Sequence, residues 1–103
     1  MYSELFPIGS VVLLKGGSKR LMIVGRVVSH DGGEEINDYI GCFYPQGVVD
    51  VDNLFFFNQD SIEAVFFIGF QDSEEIEFKK EVLSKLDEGK VVVENGQITV
   101  INE

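Results

Sequence analysis

The chain has no tryptophan, one cysteine, one histidine and two prolines among its 103 residues. Each scarcity removes a class of chemistry. A lone Cys42 cannot close an internal disulfide, so the fold has to stand on packing and hydrogen bonds. Cys42 and His30 together fall short of the four ligands of a structural zinc site. A serine or cysteine nucleophile needs a histidine beside it and a third group to orient that histidine. His30 instead follows an apolar run and precedes Asp31-Gly32, which reads as a turn. No window approaches the ~20 apolar residues of a membrane-spanning helix. Met1-Tyr2-Ser3-Glu4 lacks the basic segment and apolar stretch of a secretory leader. The expected location is therefore the cytoplasm, where a single thiol stays reduced.

Basic residues are also few. Eight lysines and arginines face eighteen acids, for a formal charge of −10. Residues 1–30 hold Lys15, Lys19, Arg20 and Arg26 against Glu4, net +3, while the remainder has four bases against seventeen acids, net −13. An anionic body repels phosphate backbones, so general nucleic-acid binding is disfavoured. Acids also keep a phenylalanine-rich chain in solution. Repeats, linkers and low-complexity stretches are missing as well, so residues 1–103 are expected to form one domain.

What the chain does have is phenylalanine, nine copies, including the run Phe55-Phe56-Phe57 and the group Phe66, Phe67 and Phe70. Such rings are expected to dominate the core. Side chains alternate across a strand, so at least one of Phe55 to Phe57 needs a second covering layer. Strands are expected at Val11–Leu14, Arg20–Ser29, Asp38–Tyr44, Leu54–Phe57 and Glu63–Phe70, separated by Gly16-Gly17, by the turn cluster 31–35, by Pro45 and by the polar turn Asn58–Ser61. Gly25, inside the second strand, points to a bulge or a close backbone approach. The gaps are too short for parallel crossovers, so neighbours in sequence are expected to pair antiparallel.

Asp72, three residues before Glu75, fits a helix cap, and Glu74, Glu75 and Glu77 suit the positive end of a helix dipole. The expected helix spans 73–88 and packs the face carrying Ile76, Phe78, Val82, Leu83 and Leu86 on the sheet. Beyond Gly89, Asn95-Gly96 sits between two apolar runs and marks a β-hairpin over 90–101. The fold class is thus α+β: a strongly twisted or barrel-like antiparallel sheet of about five strands over 5–70, one amphipathic helix, then a hairpin.

Functional signals are sparse. Asp50, Asp52, Asn53, Asn58 and Asp60 cluster, but their spacing breaks the pattern of a calcium loop. Neither a metal nor a cofactor is expected, and the chain does not read as an enzyme. Lys15-Gly16-Gly17-Ser18-Lys19-Arg20 lies between two strands rather than between a strand and a helix, so it is not a standard phosphate loop. It remains the place for an acidic or phosphate-bearing partner, with Tyr39 and Tyr44 as stacking surfaces should the sheet bind RNA. The candidate partner-binding residues are Lys15, Lys19, Arg20, Arg26, Tyr39 and Tyr44.

The segments Leu5–Gly17 (reading LFPIGSVVLLKGG), Lys19–Arg26, Asp38–Gly47 (DYIGCFYPQG) and Phe56–Ile62 (FFNQDSI) resemble a small family of unknown biochemical function from Gram-positive bacteria. Its members are often encoded beside LXG toxins of type VII secretion loci. The resemblance covers roughly residues 5 to 80. It implies a cytoplasmic accessory or chaperone-like protein that binds an LXG-type toxin or another secretion component. A toxin-neutralising immunity protein and a small nucleic-acid-binding barrel are the alternatives. It carries over no catalytic residue. Gly9, Gly16, Gly25, Gly41 and Pro45 match it as backbone positions. Lys15, Arg26, Asp38, Tyr39, Cys42, Tyr44 and Asn58 match it with no such backbone explanation.

Overall fold

The computed structural model describes residues 1–30 and 33–102. Five antiparallel strands form one sheet: β1 (Val11–Leu14), β2 (Leu21–Ser29), β3 (Ile36–Phe43), β4 (Leu54–Phe57) and β5 (Ile62–Phe67), in the order β4-β3-β2-β1-β5. The first three connections join neighbours, as the short gaps require. The fourth departs from that rule. β5 crosses to the far edge and pairs with β1, through Val12–Val65 and Leu13–Ala64.

That crossing dictates curvature. Only residues 58–61 separate β4 from β5, and Gln59–Ser61 is a tight 3-10 turn. Even fully extended, the link reaches only ~17 Å. Four strand spacings in a flat sheet span ~19 Å. The sheet must therefore coil until its two edges approach at this corner. It does not close by hydrogen bonding, so the expected barrel is realised only as an open, coiled sheet. The bends lie in β2. Pairing with β3 slips between Ile23 and Gly25, and a β-carbon on Gly25 would meet Ile40 Cγ2 at 2.6 Å. Two residues on, Val27 adopts φ 53°, a left-handed backbone that β-branched residues resist.

The core lies inside this coil and consists of Leu5, Val12, Leu21, Ile23, Tyr39 and Phe57. The expectation that phenylalanine dominates it is wrong: of nine rings only Phe57 is fully buried. Phe55 and Phe56 are partly covered by neighbouring rings of the same sheet rather than by the second layer, partner chain or helix expected over them. Phe55 packs on Phe43 with centroids 4.7 Å apart, and Phe56 stacks on His30 at 4.8 Å. His30 thus has a packing role at the end of β2. Gly33 N–H donates to its carbonyl, while Asp31 and Gly32 of the expected turn lie outside the described residues.

The helix begins as expected, with Asp72 Oδ1 accepting from Glu75 N–H. It runs as α1 (Ser73–Phe78), a wide π turn (Lys79–Leu83) and a final turn α2 (Ser84–Leu86). Most of its expected apolar face is left uncovered. Only Leu83 is buried, whereas Ile76, Phe78 and Val82 are exposed. Each π turn inserts an extra residue and shifts the phase of the residues that follow. The helix rests instead against the N-terminal turn Tyr2–Glu4. There Asp87, just past α2, accepts from Tyr2 N–H at 2.8 Å and Ser3 N–H at 3.3 Å. Burial pushes the Asp87 carboxyl up, but these donors and the adjacent terminal ammonium outweigh it and hold the group below its usual range. The hairpin β6 (Lys90–Glu94) and β7 (Gln97–Ile101) turns at Asn95-Gly96 as read from the sequence, and β7 lies against β2 and the end of the helix.

Candidate functional site

Most residues that stood out in the sequence without a backbone explanation face inward. Tyr39 is fully buried. Its hydroxyl accepts from Phe6 N–H at 2.8 Å and donates to Gln59 Oε1. Burial pushes this phenol up to about 12, with the nearby Asp38 adding to the rise and the Phe6 donor and Arg26 opposing it. Asp38, also buried, accepts from Gln59 N–H through Oδ2 at 2.8 Å. Asn58 Oδ1 accepts from Asp38 N–H at 2.9 Å and from Asn37 Nδ2 at 3.3 Å. Together these groups fasten the β4–β5 corner to β3, the corner where the coil is tightest. Cys42 is buried.

Arg26 serves a second internal joint. Its guanidinium donates to both carboxylate oxygens of Glu75 at 2.7 Å, with the two side chains only 7% and 12% exposed. It also donates to the Phe6 carbonyl at 3.5 Å and lies over the Phe78 ring at 5.3 Å. Arg26 and Tyr39 therefore hold the fold together rather than offering a surface for a partner. A stacking platform for RNA loses one of its two expected tyrosines by the same fact.

Lys15, Lys19, Arg20 and Tyr44 remain on the outside. Lys15 N–H donates to Ser61 carbonyl, which puts Lys15 at the start of β5. Lys19, Arg20 and Tyr44 come together around one hollow with Pro45. Arg20 and Tyr44 continue into a groove of about 410 Å³ with Val11, Met22, Phe66 and Phe67. Arg20 sits over the Phe66 ring at 4.2 Å from its centre.

The largest unexpected feature starts at that groove. Phe67 and Phe70 are 61% and 77% exposed, with Phe66 and Ile68 also open to solvent. Phe70 and Phe78 then wall a second hollow of about 380 Å³ beside Asp72 and Glu74. The backbone beneath is fixed. Gly69 N–H donates to the buried Ser10 Oγ at 2.9 Å, and a β-carbon on Gly69 would fall 2.1 Å from Ile8 carbonyl oxygen. The rings are thus displayed by a clamped segment and cannot fold inward. Sequence reading placed them in the core. The contrary signal was positional: β5 is an edge strand, and its outward residues have no further strand to cover them.

Chemically, this surface offers aromatic and aliphatic area, cations at one end and carboxylates at the other. Among the described residues no group of three or more histidine, cysteine, aspartate or glutamate side chains is arranged to hold a metal ion. No helix of the described residues is long and apolar enough to cross a membrane.

Comparison with known proteins gives one match. Residues 5–78 fit the model of a domain of unknown function, DUF4176, and the chain belongs to that family. The matched region runs from the segment that leads into β1 to the end of α1 and leaves out the π turn and the hairpin. No curated protein and no solved structure matches the chain.

Proposed function

We propose, with membership of that family as the premise, that the protein is a non-enzymatic accessory module that holds another polypeptide in the cytoplasm. The partner in this reading is an LXG-type toxin or another component of a type VII secretion locus, as the resemblance of the sequence implies. The observation that supports it is the clamped aromatic strip from Phe66 to Phe70. At 50%, 61% and 77% exposure, the three rings leave on the order of 350 Å² in water. Monomers seldom leave so much aromatic surface open in one short segment without a use for it. Covering it contributes about 9 kcal/mol before the costs of association, about 4–15 kcal/mol, are subtracted.

Co-expression with the toxin encoded beside it tests this. The expected outcome is co-purification of the pair and better recovery of the toxin, both lost in the Phe67→Ser, Phe70→Ser double variant. A protein that ignores every neighbouring gene product refutes the reading. The net charge of −10 also suits an immunity protein that blocks a basic toxin domain. That role predicts rescue of cells expressing the toxin domain alone, whereas an accessory role predicts an effect on toxin stability or export.

A further inference from the structure

We infer that the strip running from Phe66 to Phe78 docks a basic amphipathic segment of its partner, with the cations of that segment lying over the first turn of the helix. The inference rests on the partner-binding reading above and specifies the chemistry of what is bound. Two observations meet here. The apolar part is open to solvent at Phe67, Ile68, Phe70 and Phe78, although Arg26 lies over the Phe78 ring. The segment itself carries charge of one sign, since residues 62–78 contain five acids and no base, and the cation that reaches the helix-end hollow, Arg26, is paired with Glu75. Of those acids only Glu75 is neutralised, by Arg26 and by Lys79 at 3.8 Å. Glu63, Glu74 and Glu77 have no basic partner among the described residues, and Asp72 has only the helix cap to satisfy.

Glu74 and Phe78 lie one helical turn apart and share a hollow with Phe70, Asp72 and the Arg26–Glu75 pair. A lysine or arginine entering there lays its aliphatic stem along the Phe70 ring and its charge against the Asp72 and Glu74 carboxylates. At the other end Arg20 already occupies the face of Phe66. Arg26 likewise lies over Phe78, but the helix-end hollow has three acids (Asp72, Glu74 and Glu75) against that one base, whereas Arg20 is the one charged side chain lining the groove. Cations of the segment are therefore favoured at the helix end and disfavoured at the groove end, which gives the bound segment a direction. A second copy of this chain is a poor occupant, because it would bring one body of charge −10 against another.

The test uses the full chain and two synthetic amphipathic peptides with identical apolar positions. One carries lysine and arginine on its polar face and the other glutamate and aspartate. Fluorescence anisotropy at 0.15 M salt should show the basic peptide binding at least tenfold more tightly. Phe70→Ser with Phe78→Ser keeps the net charge and should weaken that binding at least tenfold. Glu74→Lys with Glu77→Lys should reverse the preference. Asp52→Lys with Asp60→Lys makes the same change in net charge elsewhere and should leave the preference intact. The inference is overturned if that control abolishes binding equally, if the serine variant binds like the parent, or if sedimentation shows the rings already covered in a self-associated form. Toxin co-purification that survives all these substitutions would sink this surface but keep the partner reading. Intact peptide preference without any toxin partner would do the reverse.

Discussion

Replacing Tyr39 by phenylalanine removes one oxygen from the middle of the fold and leaves its ring in place, stacked with Phe6 and tilted against Phe57. Two hydrogen bonds disappear. Phe6 N–H loses its acceptor in a part-buried position, and an orphaned donor of that kind costs about 1–3 kcal/mol. Gln59 Oε1 loses a donor but is not fully buried and can turn to water, adding less than about 1 kcal/mol. The expected loss is about 2–3 kcal/mol, or a fall in melting temperature of about 10–20 °C for a domain of this size. Urea unfolding followed by far-ultraviolet circular dichroism measures it. A second readout is pH. The folded state raises the Tyr39 phenol from 10 to about 12, so folding favours the neutral form. That contribution is complete below pH 10 and is lost as pH rises through about 12, a decline worth about 3 kcal/mol. The phenylalanine variant should lack this part of the alkaline decline. Equal stability of variant and parent, with superimposable alkaline profiles, would refute the assignment of Tyr39 as the hub of the corner.

Further substitutions probe the other joints. Arg26→Met alone strands the Glu75 carboxylate at 12% exposure and should cost about 3–5 kcal/mol, whereas Arg26→Met with Glu75→Leu should recover most of that in a double-mutant cycle by urea unfolding. Gly69→Ala drives a β-carbon to within 2.1 Å of a backbone oxygen and should cost more than about 3 kcal/mol, seen as a collapse of the thermal transition. Leu83→Ala should cost about 2–4 kcal/mol, but Val82→Ala, next to it and exposed, less than about 0.5 kcal/mol; similar losses at both would contradict the helix placement. Asp87→Asn should release the N-terminal turn, with faster amide exchange at Tyr2 and Ser3. Because the folded state lowers the Asp87 pKa below 3.8, its contribution in the parent is present above that pH and fades as pH falls through the lower folded value.

Local pattern was enough to read the strands, the helix start and the Asn95-Gly96 hairpin, since each depends on spacing and turn chemistry within a few residues. What it could not carry was the partner of β5. Four linking residues look like a hairpin, and only the capacity of Asn58 and Asp38 to tie down a 3-10 turn lets the chain swing to the other edge. The misplaced phenylalanines are a separate error: β5 lies at an edge of the sheet in the expected order as in the observed one, and an apolar side chain on an edge strand reads the same in sequence as one in the core. The helix face failed for a different reason. A uniform 100° step cannot anticipate a π turn, and one extra residue puts the residues from Val82 onward out of phase with Ile76 and Phe78 before it, so the five apolar residues no longer share one face. Among the candidate site residues, Lys19, Arg20 and Tyr44 were found because exposed loops keep their charge, whereas Arg26 and Tyr39 were misjudged because a polar group satisfied inside the fold reads the same as one at the surface.

The division between buried joints and exposed strip has a consequence for how this fold can serve a partner. The Tyr39 corner and the Arg26–Glu75 clamp cost about 2–5 kcal/mol to break and the Ser10–Gly69 bond about 1–3 kcal/mol, together a large share of the about 5–15 kcal/mol that keeps a domain folded. Phe67 and Phe70 stand free of those joints, and changing them should move stability by no more than about 0.5 kcal/mol. Stability and recognition are therefore carried by different residues. The clamp at Gly69 joins the two roles in one direction only: it fixes where the rings stand without depending on which rings they are. A scaffold built this way can accept different side chains at the exposed positions 66, 67 and 70, and so a different partner segment, without repacking its core.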